Sequence, residues 1–393
     1  MKFDIFCEIQ RAFPWNGDDE GALLRDTIEE AVAADKAGFD VWWEVEHHSA
    51  PEFSYSSAPA VMLAAIAMRT NRMHIGHAGV LAPFRINNPY RVAEAAATLD
   101  VLSGGRLELG LAKSGGKEWE TFGVEPERAR EQVREGFSVI SRFWTEKSLS
   151  WKGEDFSIPE RECVPKPLQK PHPRLWQTCG SPESFRMAGE MGVGCLGTTL
   201  LSPVAFMGQM IREHDAGLGA CTPAGKFVNR EKGIFTFVHV ADSRAAAIEA
   251  GAAWSALWYV HSAPIIFKVP RAVWYDAIRA GLHPNSPRST AALTGTDDTS
   301  LDIADDELPV IRLLKLMARG EQVSKEEAHD VLEALDSVVI GDVDHCIGKL
   351  EAYRSIGTNR MMCLMQFGSI PHASVVRSIE IAGRHLIPHF AAA

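Results

Sequence analysis

From Phe3 to Trp144 the apolar positions alternate between two spacings. Phe3 to Ile9 reads as a strand, and Leu23 to Ala37 carries apolar residues at helical spacing before stopping at Gly38. Val41 to Val45 is a second strand, Pro59 to Arg69 a helix and Met73 to Leu81 a third strand. Tyr90 to Leu102 is a helix closed by Ser103-Gly104-Gly105, Leu107 to Leu111 a fourth strand, and Arg128 to Trp144 a long amphipathic helix. The alternation resumes with strands at Leu175–Thr178, Gly194–Leu196 and Gly233–Val240 and helices at Glu183–Met191, Val204–Ala216 and Arg244–Val260. Helices over Leu308–Ala318, Lys325–Leu335 and Val343–Ser355 lead to a last strand, Arg360–Met365, and a closing helix, Ser374–Leu386. Eight strand–helix units of this kind close a parallel barrel, so the pattern predicts one (β/α)8 domain over residues 1–393.

Two stretches break the rhythm. About residues 149–173, Trp151 to Phe156 looks like a hairpin, and Pro165, Pro167, Pro171 and Pro173 mark extended chain. About residues 264–309, periodicity fades and Pro284, Pro287 and the run from Thr294 to Thr299 suggest a long connection, either a functional lid or a disordered linker.

Composition narrows the partners. The 393 residues are 46% hydrophobic and 23% charged with a net charge of −11, which suits a large core and argues against nucleic acid or an anionic membrane as partner. The N-terminus starts with a strand rather than a leader, and no stretch approaches a membrane span, so a cytoplasmic location is expected. The seven cysteines are scattered without CxxC spacing, which predicts buried thiols rather than disulfides or a zinc site.

The densest reactive cluster is Glu44-Val45-Glu46-His47-His48, where the second strand hands over to its loop. In a parallel barrel that strand end is where chemistry sits. Adjacent strand residues point to opposite faces, so His47 and His48 do not share one, and without a third ligand they predict no metal site. Either His47 handles a proton near pH 7 or the pair is structural. Glu46 reads as a supporting carboxylate.

Four stretches in order carry a resemblance. Gly38 to Pro59, Met73 to Leu81 followed by Asn88-Pro89, Thr98 to Arg106 with Leu109-Gly110, and Val338 to Asp342 through Gly357 resemble the bacterial luciferase-like flavin monooxygenases. The resemblance implies a TIM barrel with insertions that uses reduced FMN (FMNH2), supplied by a separate reductase, and dioxygen. It implies transfer of oxygen to a small organic substrate such as an aldehyde or ketone by way of a C4a-(hydro)peroxyflavin, in a homodimer or heterodimer joined through the early helices.

The same resemblance assigns residues. His47 takes the place of an acid or base at the flavin edge, with His48 beside it. Ala78-Gly79 matches a non-proline cis peptide under the ring, although two small residues also relieve crowding in a barrel. Ala112 stands where the light-emitting enzyme has a cysteine, and Ser114-Gly115-Gly116 replaces its tyrosine-bearing loop. Lys113, Gly180, Ser181 and Ser184 match the phosphate end; for the serines, capping of a helix is the competing reading. Trp258 matches a flavin-side tryptophan, a spacing also found in plain core. The segment from Lys268 to Thr299 matches a mobile lid. A deazaflavin (F420)-dependent dehydrogenase and a non-catalytic flavin-binding subunit are the alternatives. Trp15, Phe53, Tyr55 and Trp119 either line a hydrophobic pocket or pack in the core.

Overall fold

Inward-facing side chains from consecutive strands build the barrel from its floor upward. In the computed structural model, which describes residues 1–12, 19–282 and 301–391, these strands are β1 (Lys2–Cys7), β2 (Val41–Glu44), β3 (His74–Leu81) and β4 (Leu107–Ala112). After the antiparallel hairpin β5 (Leu149–Lys152) and β6 (Ser157–Arg161) come β7 (Arg174–Thr178), β8 (Gly194–Thr198), β9 (Lys232–Val240), β10 (Val339–Gly341) and β11 (Arg360–Leu364). The parallel order β1-β2-β3-β4-β7-β8-β9-β11 closes on itself through β11 and β1, giving the expected (β/α)8 barrel. The upper half of β9 also pairs with β10, three residues that the hydrophobic pattern did not mark as a strand.

The floor is ionic and aromatic. Arg360 is fully buried and donates to Asp4 at 2.8 Å and Asp40 at 2.6 Å, with Glu231 as a third carboxylate partner. Trp43 donates to Asp4 at 3.0 Å and meets Trp176 edge to face at 5.3 Å, while Trp176 donates to Glu108 at 2.8 Å. Gly76 and Gly194 leave room for these indoles, since a Cβ on either would lie within 2.5 Å of a ring carbon. An edge-to-face aromatic pair adds about 0.5–1.5 kcal/mol beyond its buried area. Above this layer Phe6 stacks on Phe235 at 4.0 Å, and the next inward residue after Asp4 and Phe6 is Glu8.

Helices wrap the outside: α1 (Asp19–Ala37), α2 (Pro59–Arg69), α3 (Pro89–Leu102), α4 (Gly116–Phe122), α5 (Ala129–Thr145), α6 (Pro182–Glu190) and α7 (Val204–Leu218). They continue as α8 (Arg244–Ala250), α9 (Ala252–Phe267), α10 (Arg271–Leu282), α11 (Pro309–Ala318), α12 (Lys325–Glu333), α13 (Val343–Ser355) and α14 (His372–Ala391). Asn88 caps α3 through the Tyr90 amide, and Gly104 and Gly105 follow its end with φ of +71° and +85°. The single helix expected over Arg244–Val260 is divided at Gly251, whose φ of +71° stops α8 before α9 begins. Among the described residues no helix is long and apolar enough to cross a membrane.

The segment expected to lose structure after Pro264 is partly helical. α9 runs on through Pro264 to Phe267, and α10 buries Tyr275, Ile278 and Gly281 along one stripe. Pro264 and Pro270 obscured this in the sequence; Pro270 stands just before α10, where a missing amide costs no helical bond. Residues 283–300 of the proposed lid lie outside the described residues, as does Trp15.

Candidate active site at the barrel mouth

At the top of β2 the chain turns back so that the His47 amide donates to the Ser56 carbonyl at 2.9 Å, with Ser49 in the left-handed region at φ +61°. The two histidines take separate partners. His47 Nδ1 lies 2.9 Å from Glu118 Oε1, and its Nε2 lies 3.6 Å from Glu8 Oε2. His48 Nε2 lies 3.1 Å from Glu46 Oε1, while its backbone amide donates to Glu118 at 3.2 Å. Phe53 covers His47 edge-on at 5.5 Å, and Phe122 does the same for His48 at 5.1 Å.

Each carboxylate here is held from a second side. Glu46 accepts from the Leu81 amide at 2.9 Å and Asn87 Nδ2 at 3.0 Å, which ties the histidine loop to the end of β3. Glu118 rises from α4 and accepts from Ser114 Oγ at 2.6 Å. Glu8 accepts from the Tyr259 hydroxyl of α9 at 3.0 Å. Burial opposes protonation of His47, but the Glu8 and Glu118 carboxylates outweigh it and raise its pKa above the ordinary histidine range. Burial raises the Glu8 pKa, against the pull of His47 and the Tyr259 phenol. Burial acts on Glu46 in the same sense, yet its hydrogen bonds from His48, Asn87 and the Leu81 amide hold it low.

Glu44 belongs to another layer. It is fully buried on the outer face of β2, accepting from Trp42 Nε1 and Ser56 Oγ at 2.9 Å each. His77 is likewise buried, and desolvation pushes its pKa down to about 4, so it is neutral at pH 7. Among the described residues no group of three His, Cys, Asp or Glu is arranged to hold a metal.

The floor of the mouth is backbone. Ala78-Gly79 is a cis peptide, and the β3–β4 register shifts between His77 and Val80. A Cβ on Gly79 would meet the Gly110 carbonyl at 2.8 Å, and one on Gly110 would meet the His77 carbonyl at 2.4 Å. The two glycines therefore let β3 and β4 approach where the bulge forms. Ala112 is in register with Leu81, one step above.

Beyond Ala112 lies a corner rich in charge of both signs. Lys113 Nζ sits 5.0 Å over the Trp119 ring, and burial with the nearby Arg130 guanidinium lowers its pKa. Ser181 caps α6: its hydroxyl accepts from the Ser184 amide, and Ser184 Oγ accepts from the Gly180 and Ser181 amides at 3.1 and 3.0 Å. The serine hydroxyls thus serve the helix first. Beside them is a cavity of about 300 Å³ whose lining includes Arg130, Arg134, Pro182, Glu183 and Arg186. Arg134 pairs with Glu190 at 3.2 Å and Arg186 with Glu213 at 2.5 Å, while Arg130 acts on the Glu183 carboxylate beside it and Lys113 lies over Trp119.

The predicted residues fall into these two groups, with Ala78, Gly79 and Ala112 between them. Trp258 is 7% exposed and stands outside the contiguous apolar core, next to Tyr259 on α9. Sequence reading missed Glu8, Glu118, Tyr259 and Arg130. Glu8 carried a signal, the alternation Asp4, Phe6, Glu8; the others lie on helices whose approach to the mouth no local pattern records. The start of the expected lid closes over the same region. A Cβ on Gly116 would strike the Ile266 carbonyl at 2.1 Å, and Lys268 pairs with Glu120 at 2.8 Å.

The fold is a (β/α)8 barrel with a carboxylate–histidine cluster at its mouth, and comparison gives the family. A family model described as luciferase-like monooxygenase matches residues 1–360, and the chain belongs to that family. It is 30% identical over 195 residues to the oxygenase component of a flavin-dependent trigonelline monooxygenase from Acinetobacter baylyi, covering 49% of this chain and 52% of that one. It is 31% identical over 185 residues to an F420-dependent glucose-6-phosphate dehydrogenase of Amycolatopsis mediterranei, covering 44% and 54%. The chain spans about half the length of these curated relatives. The FMN-bound oxygenating constituent of 3,6-diketocamphane monooxygenase from Pseudomonas putida superposes with a TM-score of 0.71 at 16% identity, over 99% of this chain and 98% of that one.

Proposed function

We propose that the protein is the oxygenase component of a two-component monooxygenase, taking reduced FMN from a separate reductase and acting with O2 on a small organic substrate such as an aldehyde or ketone. The observation that carries this reading is the charge of the phosphate corner. Lys113 and Arg130 stand near one another at the start of α6 with no carboxylate in ion-pair distance of either among the described residues, and these two cations with the positive end of the helix suit one dianionic phosphate. A longer polyanionic tail, as on coenzyme F420, would run past them onto Glu190 and Glu213, which already hold Arg134 and Arg186.

In this reading the Ala78-Gly79 backbone and Ala112 would hold the flavin ring, and Trp258 and Phe53 would keep water from it. Reduced FMN supplies the electrons and the position at which dioxygen reacts. His47 holds and moves a proton at its Nε2, and His48, fixed by Glu46, keeps the loop in place. A homodimer or heterodimer and a cytoplasmic setting complete the proposal. The F420-dependent relative supports a hydride-transferring dehydrogenase as the second reading.

Titration of the protein with FMN, riboflavin and coenzyme F420, followed by product analysis with reduced FMN and O2, separates the two. FMN binding tighter than riboflavin, with oxygenated product and loss of that product in His47→Ala, is expected. Preferential binding of F420 with O2-independent turnover would overturn the first reading.

A further inference from the structure

We propose that Glu8 is a positioning residue that shares one proton with His47, so that the histidine enters the reaction as an acid rather than as a base; this rests on the reading of the mouth as the reaction site. Both ring nitrogens of His47 face carboxylate oxygens, Glu118 Oε1 at 2.9 Å from Nδ1 and Glu8 Oε2 at 3.6 Å from Nε2. A neutral imidazole has one N–H and one lone pair, so it satisfies only one such neighbour. The second contact is favourable when an additional proton lies on Nε2 or on Glu8 itself. Glu8 Oε2 has no hydrogen-bond partner although the residue is 2% exposed, which leaves that oxygen for the proton between them.

Tyr259 decides which oxygen faces the histidine. Its hydroxyl donates to Oε1 from α9, and a phenol has one proton to give, so the carboxylate is anchored by one oxygen and open at the other. The groups facing His47 are Glu8 at the end of β1, Glu118 on α4 and Glu46 on its own segment. The field of these three carboxylates keeps the shared proton in the site. When a substrate oxygen gains negative charge, the proton on Nε2 passes to it. The N–H bond breaks, an O–H bond forms, and neutral His47 remains beside the Glu8 carboxylate until solvent returns a proton.

The test is the titration of His47 by nitrogen-15 NMR in the cofactor-free protein, in wild type and in Glu8→Gln, with His47→Gln to assign the signal. Glu8→Gln is expected to lower the His47 pKa by at least about one unit, a tenfold weaker hold on the proton. Glu8→Asp, which keeps the charge but draws it back by one methylene, is expected to give an intermediate fall and serves if the glutamine variant does not fold. An unchanged His47 pKa in either folded variant overturns the proposal. Because no cofactor is present, a shifted titration in a protein that makes no oxygenated product would sink the functional reading alone.

Discussion

Glu118 Oε1 lies 2.9 Å from Nδ1 of His47, and this one contact joins α4 to the loop after β2, elements 71 residues apart. The same carboxylate also takes the His48 amide and the Ser114 hydroxyl, so it fixes the His47 ring and the turn that follows β4 together. Glu118→Gln keeps the shape but removes the charge, and is expected to lower coupled product formation by about 10²-fold, within the range of positioned proton transfer. FMN affinity should stay within about threefold. Oxygenated product measured against released peroxide checks it; full coupling in the variant would remove Glu118 from the proton chemistry.

Lys113→Met and Arg130→Met should each weaken FMN by about tenfold, near 1.4 kcal/mol, and leave riboflavin almost unaffected. Fluorescence titration with the two ligands reads the difference. Equal losses for both would place these cations away from the phosphate.

Arg360→Met leaves Asp4 buried without its cation at the barrel floor. Removing one member of such a buried network costs about 3–5 kcal/mol, so the variant should unfold at markedly lower denaturant. A stability within about 1 kcal/mol of wild type in chemical denaturation would contradict the role given to this network.

Glu44 gives the protein a pH dependence of its own. Burial raises its pKa from 4.5 to about 7 in the folded state. The folded chain therefore holds this proton more tightly than the unfolded one, and the associated stability is complete below about pH 4.5 and lost as pH rises through 7. By pH 8 the loss is of order 3 kcal/mol. Glu44→Gln should gain stability relative to wild type at pH 8 but not at pH 4.5, as read from denaturation at both. A pH-independent difference would count against a buried, proton-holding Glu44.

Val61 and Met68 on α2 are 69% and 68% exposed, and Leu102 on the neighbouring α3 is 49% exposed. This apolar face is where the early helices would join two copies of the chain. Val61→Glu combined with Met68→Glu should convert a dimer to a monomer in sedimentation. An unchanged sedimentation coefficient would move the interface elsewhere.

Much of this architecture is legible in the hydrophobic pattern, because parallel barrel strands are buried on both faces and read as short apolar runs. All eight barrel strands stand near their expected positions. β10 escaped because three residues give too short a period, and α10 because flanking prolines masked its stripe. The site divides the same way. His47 and His48 follow the end of β2 at Glu44 by three and four residues, so the strand pattern places them at the mouth, while their separate partners come from the loop and from α4. Glu118 and Tyr259 reach the mouth through the packing of α4 and α9, and Arg130 through α5, relationships set by tertiary contact alone.

The close passage of Gly79 against Gly110 also limits how this enzyme can diversify. Neither position accepts even a methyl group without parting two strands, so the platform beneath the pocket cannot be reshaped by point substitution. In the proposed reading of the mouth, new substrate preferences come from the roof: the turn at Ser114-Gly115-Gly116, the buried ring of Phe53, and the end of α9 near Phe267. Libraries aimed at altered selectivity gain most from varying Phe53, Trp119 and Phe267 while holding both glycines constant.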